Sequence, residues 1–334
     1  MTTYAVLASN CFTGAHIVDA LLDEPGARVI GVSRAPEYDP IFLPYRQPGR
    51  DSARFQFHSI DMVREPETLF ALLDAERPEV VINVAAHSEV ALSFLRPVEY
   101  FEINTTAVVR LCDHLRRQNY LRQYVHISSA EMLGSCPHPM DERSPFNPST
   151  PYAVSKAAAD MFLDTFIRNF GFPATMIRST NVYGRHQQLF KIIPRAAIYI
   201  KLGRIIELHG GGGAVKSFIH IRDVVDGLIR SVHRGKTGTF HLSTSNPLTV
   251  ADVVRLVCEL MGVDFATATR IVGERPGQDS RYQLDCGRAE RELDWAAQVD
   301  FTEGVRETIA WVEANWNAIQ NMPLDYQHRS SSKD

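Results

Sequence analysis

Short apolar runs alternate with stretches of helical spacing through the first half of the chain. Tyr4–Ala8 is short and apolar, as a strand covered on both faces should be. Gly14–Leu22 follows at helical spacing. Arg28–Val32 and Phe55–Ile60 read as the second and third strands, Glu67–Ala75 as a helix, and Val80–Val84 as a strongly apolar fourth strand. Val98–Gln118 reads as one long helix, Gln123–Ile127 as the fifth strand, Tyr152–Phe170 as a second long helix and Ala174–Arg178 as the sixth strand. Strands alternating with helices in this way predict an α/β fold with a parallel, doubly wound sheet.

Beyond Asn181 the rhythm changes. Gly210–Gly213 is a glycine-rich loop, His220–Val232 is helical after a short strand, and Thr239–Leu242 is a further strand. Val250–Met261 is a helix with Thr249 at its N-terminus, and Phe301–Trp316 is a terminal amphipathic helix. The expected organisation is a Rossmann-type dinucleotide-binding domain over residues 1–180, with part of 215–245 returning to it. A smaller, mixed substrate domain takes mainly 181–325, and 326–334 is a flexible tail. Ligands of such sheets bind at the carboxyl ends of the strands, so the cleft is expected where the two parts meet.

Composition narrows the partners. The 334 residues carry a net charge of −4, with 45% hydrophobic and 22% charged residues. No Lys/Arg run is long, so nucleic acid is not an expected partner. No stretch has the apolar length of a membrane span, and the N-terminal segment lacks the basic start of a signal peptide. Cys11, Cys112, Cys136, Cys258 and Cys286 are scattered without zinc-ligand spacing, so reduced cysteines in a cytoplasmic protein are expected. His16, His114, His126 and His241 have no ligand spacing either; core or surface roles, and no metal, are expected.

The first strand runs into Ala8-Ser9-Asn10-Cys11-Phe12-Thr13-Gly14 and then a helix. A dinucleotide fingerprint needs small residues where the chain turns and where backbone N–H groups approach the pyrophosphate. Ala8, Cys11 and Gly14 meet that need with one glycine in place of three; an ordinary strand-to-helix turn is the alternative. The second strand ends in Ser33 and Arg34. An acidic residue there would bond the ribose 2′-hydroxyl of NAD, whereas an arginine accommodates the 2′-phosphate of NADP, so NADP is favoured and NAD stays open. Asp61 and Met62 fall where the adenine edge is met. Ala85 and Ala86 leave room for the cofactor to cross.

Tyr152 and Lys156 lie one helical turn apart on one face. A lysine ammonium beside a phenol, with a positively charged nicotinamide, favours the phenolate. The phenolate can then take a proton from a sugar hydroxyl while hydride leaves for the cofactor. Many helices contain such a pair. Ser128 and Ser129 at the end of the fifth strand give it weight, because a Ser129 hydroxyl can bond the same sugar oxygen.

With these motifs in order, the chain resembles the extended short-chain dehydrogenase/reductases of the nucleotide-sugar epimerase/dehydratase group over most of residues 4–315. Ser128-Ser129-Ala130-Glu131-Met132-Leu133-Gly134 resembles the group's active-site strand end, and Arg178-Ser179-Thr180-Asn181-Val182-Tyr183-Gly184 the next one. His209 through Asp223 resembles the segment that clamps the nucleotide. Glu274-Arg275-Pro276-Gly277-Gln278-Asp279 and Gly184 through Pro194, with Lys191 and Ile192, look like the matching segments of dTDP-glucose 4,6-dehydratases.

The resemblance implies oxidation at sugar C4 by Tyr152 and the cofactor. In dTDP-glucose 4,6-dehydratases an Asp-Glu pair follows the serine or threonine: the Glu removes the C5 proton and the Asp helps water leave from C6. Here the pair is Ala130-Glu131, so the base is present and the acid missing. GDP-mannose 4,6-dehydratases also keep the Glu after a small residue, and 4-epimerases usually lack it. Glu131 therefore implies a 4,6-dehydratase, with an epimerase or a glucuronate decarboxylase as alternatives; for the latter, Arg185 is the candidate cation. His87, Ser88 and Glu89 fall where dehydratases have Glu-Ser-His. His87, Ser88, Glu89, Lys191 and Ile192 are expected on the substrate side, and Asn181, Lys216, Arg275 and Gln278 are the expected contacts to the diphosphate or sugar. The resemblance also implies a homodimer through the helices at Val98–Gln118 and Tyr152–Phe170. A non-catalytic cofactor-binding sensor has no need of Tyr152 and Lys156 together.

Overall fold

Residues 2–136, 138–273, 281 and 283–326 are described in the computed structural model of the chain. Arg275 and Gln278 lie outside them. The first half lays down six strands: β1 (Thr2–Leu7), β2 (Ala27–Ser33), β3 (Phe55–Ser59), β4 (Val80–Asn83), β5 (Gln123–Ile127) and β6 (Ala174–Ser179). Between them run α1 (Phe12–Asp23), α2 (Pro66–Glu76), α3 (Val90–Ser93), α4 (Pro97–Phe101), α5 (Ala107–Leu115) and α6 (Pro151–Phe170). The chain then leaves through β7 (Asn181–Tyr183), α7 (Ile192–Lys201), β8 (Ile206–His209), β9 (Val215–His220) and α8 (Ile221–His233). It returns with β10 (Gly238–Leu242) and finishes through β11 (Pro247–Thr249), α9 (Val250–Leu260), α10 (Phe265–Ala268), β12 (Thr269–Val272), α11 (Gly287–Leu293), α12 (Phe301–Ala314) and α13 (Trp316–Ile319).

Seven strands pair in parallel in the order β10-β6-β5-β4-β1-β2-β3. Helices cover both faces, which is why the inner strands are apolar along almost their whole length; all of Val80–Asn83 is buried. One face packs on α1 and α8, the other on α2, α5 and α6. The strand order reverses about β1, and a crevice opens there at the carboxyl ends. The doubly wound sheet expected from the alternation is the one found. The second lobe gathers α7, α9 and α12 around an apolar cluster, beside a β11-β9-β7 sheet and a β12-β8 pair. Tyr326, beyond α13, packs edge-on to Phe190 with the ring centres 5.4 Å apart, which lays the end of the described chain against the approach to α7.

Two local departures bear on the site. The spacing that reads as one helix over Val98–Gln118 is broken by a π turn at Glu102–Thr106, between α4 and α5. Apolar periodicity does not register the extra residue of such a turn. The turn buries Asn104, whose side chain accepts from the His87 N–H at 2.9 Å and donates to the His87 carbonyl at 3.1 Å and the Ser155 hydroxyl at 2.9 Å. α6, by contrast, starts and stops on strong signals. Thr150 caps it, accepting from the Ala153 N–H at 3.1 Å, Pro151 opens it, and Gly171 ends it at a φ of 61°. Tyr152 therefore lies in the first turn and Lys156 one turn on, both buried.

Candidate active site

β1 gives way to Ala8 at a φ of 60°, a left-handed backbone that favours glycine. The turn brings the Ala8 carbonyl so near α1 that a Cβ on Gly14 would stand 2.2 Å from its oxygen. Cys11 caps α1, its sulfur accepting from the Gly14 N–H at 3.3 Å, and burial pushes its thiol up to about 11. Asn10 ties this turn to the end of β2: its N–H donates to Ser33 Oγ at 3.3 Å and its amide to the Ala35 and Pro36 carbonyls at 3.1 and 2.9 Å. Phe12 is buried, edge-on to His16. A cavity of about 340 Å³ opens here, lined among others by Ala8, Ser33, Arg34, Asp61, Met62, Ala85, Ala86 and His87. A helix N-terminus, small residues at the turn and a cavity at the carboxyl ends of the strands fit a dinucleotide. Glu37, the first carboxylate in the chain after β2, accepts instead from Tyr45 at 2.8 Å and Arg46 at 2.9 Å.

The proposed reacting groups gather at the end of β5. Ser129 caps a short 3₁₀ turn, its oxygen accepting from the Glu131 N–H at 3.2 Å. Burial holds the Tyr152 phenol well above its usual range; the nearby Glu131 carboxylate adds to this, and a hydrogen bond from Ser129 opposes it. Lys156 donates to the Ile127 carbonyl at 2.7 Å and meets His126 Nε2 at 3.1 Å. Burial lowers its ammonium to about 8, with Asp160 pulling the other way. Ala130 is buried in an apolar cluster with Met132, Leu133, Cys136, Ala157 and Leu284.

Two of the substrate-side residues meet: Glu89 and Lys191 approach at 3.9 Å, joining the loop after β4 to the start of α7. Ser88 is exposed and Ile192 is half-buried at the first position of α7. Asn181 and Lys216 lie on the β7 and β9 strands, where the Asn181 amide donates to the Ser217 carbonyl at 3.2 Å. Arg185 goes elsewhere. It approaches Glu307 at 3.9 Å in a groove between α1 and α12, so the cation considered for a sugar carboxylate is engaged outside the cofactor cavity. Arg64 and Arg96, which line the cavity, escape notice in the sequence, as do the roles of Asn104 and His126. No motif marks them, and Asn104 and His126 find their partners only through the fold.

Residues 10–308 match the sequence profile of the GDP-mannose 4,6 dehydratase family. The chain belongs to that family. This member of the GDP-mannose 4,6 dehydratase family is 30% identical to dTDP-D-glucose 4,6-dehydratase of Homo sapiens over 75% of this chain and 73% of that protein. It is 29% identical to dTDP-glucose 4,6-dehydratase of Salmonella typhimurium, over 81% and 82% of the two chains. Its structure is similar to that of dTDP-glucose 4,6-dehydratase from Streptomyces venezuelae, solved with NAD bound, at a TM-score of 0.86 and 27% identity over 95% and 98% of the two chains.

Proposed function

We propose that the chain is a nucleotide-diphosphate-hexose 4,6-dehydratase in which Ser129, Glu131, Tyr152 and Lys156 carry the chemistry. The observation that carries the reading is the convergence of Ser129 and Glu131 on the 3₁₀ turn after β5 with Tyr152 and Lys156, buried in the first turns of α6. Tyr152 takes the C4 hydroxyl proton, Ser129 holds the same oxygen, and Lys156 favours the phenolate. A nicotinamide held in the crevice by the turn at Ala8–Gly14 would supply the acceptor for the C4 hydrogen and the donor to C6, with C5 taking a proton back from solvent through Glu131. Glu131 removes the C5 proton, which the C4 ketone makes acidic. With Ala130 in an apolar wall, Glu131 in its protonated form then gives that proton to the departing C6 hydroxyl, and water leaves.

NADP is the proposed cofactor, because Arg34 and Arg64 line the cavity at the end of β2 and β3. A homodimer is proposed through the α4–α5 segment and α6, where Val98 is 68%, Val154 40% and Met161 59% exposed. Five free cysteines accord with a cytoplasmic setting, and no helix among the described residues is long and apolar enough to cross a membrane. A panel of nucleotide sugars tests the activity: a 4-keto-6-deoxy product is expected, and tight cofactor binding with no turnover of any of them refutes it. Glu131→Gln should stop solvent deuterium entering C5; unchanged exchange removes Glu131 from its role.

A further inference from the structure

We infer that His126 is a positioning residue for Lys156: a neutral imidazole whose Nε2 accepts from the ammonium and whose other nitrogen anchors it to the cofactor loop. The inference rests on the catalytic reading of Tyr152 and Lys156. An ammonium only donates, so the 3.1 Å contact requires a lone pair on His126 Nε2. A neutral ring then carries its proton on Nδ1, which faces Tyr124 Oη at 3.4 Å. That oxygen also accepts from Asn83 Nδ2 at 3.0 Å, and Asn83 Oδ1 accepts from the Ala85 N–H at 3.0 Å. A buried chain of hydrogen bonds thus runs from Lys156 through His126, Tyr124 and Asn83 to the loop where the cofactor crosses. His126, Tyr124 and Asn83 are all fully buried.

Burial keeps His126 neutral, and the Lys156 charge adds to the effect. Asp160 on α6 acts on Lys156 and Tyr124 on β5 meets His126; one step out, Asn83 on β4 and Cys112 on α5 act on Tyr124, and Ser129, Glu131 and Tyr100 act on Tyr152. Asp160 is itself paired with Arg178 on β6. Two of the three ammonium N–H groups are spent on Ile127 and His126, which fixes the direction of the third. Loss of the imidazole acceptor makes the buried ammonium harder to keep. Lys156 then releases its proton at lower pH, and the Tyr152 phenolate loses support. The acid limb of the rate profile must move up.

The test uses the purified holoenzyme with dTDP-glucose. His126→Leu should move the acid limb of kcat up by about one pH unit, a loss of about tenfold below the limb that is recovered above it, with KM nearly unchanged. His126→Gln, which keeps an acceptor, should restore most of the rate. A profile that superimposes on the parent's, or a loss equal at every pH, overturns the inference. Proton–nitrogen correlation spectra of the histidine-labelled protein decide it without substrate: His126 should hold its proton on Nδ1 unchanged from about pH 6 to 9, and an Nε2–H form overturns it. Lys156→Met separates the two readings, since full activity in that variant would refute the catalytic role itself.

Discussion

Replacing Asp160 by asparagine tests how α6, which carries Tyr152 and Lys156, is held. Asp160 lies one turn beyond Lys156 on α6. Its Oδ2 accepts from Arg178 Nε at 2.9 Å, and the two side chains are 1% and 4% exposed. Ser128 donates to the other carboxylate oxygen at 2.7 Å, and the guanidinium lies 4.9 Å from the Phe146 ring centre. Asparagine keeps the shape and removes the charge, so the cost is that of a buried guanidinium without its counter-ion, about 3–5 kcal/mol. At about 2 °C per kcal/mol for a chain of this size, melting should fall by about 6–10 °C. Arg178→Met should cost a similar amount by stranding the carboxylate. The double variant buries no net charge and should melt above either single one. Thermal unfolding at one fixed cofactor concentration is the assay, because bound ligand raises the melting point by mass action. Additive losses in the double variant, or a single loss under about 1 kcal/mol, would refute a coupled buried pair.

Ala8→Gly should stabilise slightly: relief of the left-handed backbone is worth about 1–2 kcal/mol, offset by about 0.4–1 kcal/mol of added freedom in the unfolded chain, and a lower melting point would show that the Ala8 methyl packs favourably. Arg34→Asp should weaken NADP binding by about tenfold or more while NAD is spared, read by titration calorimetry; equal losses for both cofactors would remove Arg34 from the 2′-phosphate. Val154→Glu with Met161→Glu should yield a monomer in light scattering, and an unchanged mass would place the interface elsewhere.

The central sheet was legible because a strand covered on both faces has to be apolar, and Val80–Asn83 leaves no other reading. The second lobe was less so. β7 and β11 have three residues each, too few for a period to show. α7 begins Ile192-Ile193-Pro194, an apolar run that suits a strand as well as a helix; proline is tolerated only because it falls in the first turn. Arg185 was a candidate by its place in sequence, yet its side chain approaches Glu307 at 3.9 Å, more than a hundred residues on, and no local pattern carries that pairing. His126 read as a core or surface histidine for the opposite reason: its partner is thirty residues away and comes within 3.1 Å only when β5 and α6 pack.

The substitution at position 130 is the feature that constrains the chemistry most. An alanine buried among Met132, Leu133 and Leu284 leaves no room for a second carboxylate from that position without burying a charge in an apolar wall. The C6 hydroxyl still needs a proton to leave as water. In the proposed mechanism the proton taken from C5 is already on Glu131, one residue away on the same 3₁₀ turn. A single carboxyl serving both atoms requires them on one face of the sugar, so elimination should be syn. Ala130→Asp then becomes a destabilising change rather than a gain: it inserts an unpaired carboxylate into the cluster, and should lower the melting point without raising the rate of water loss.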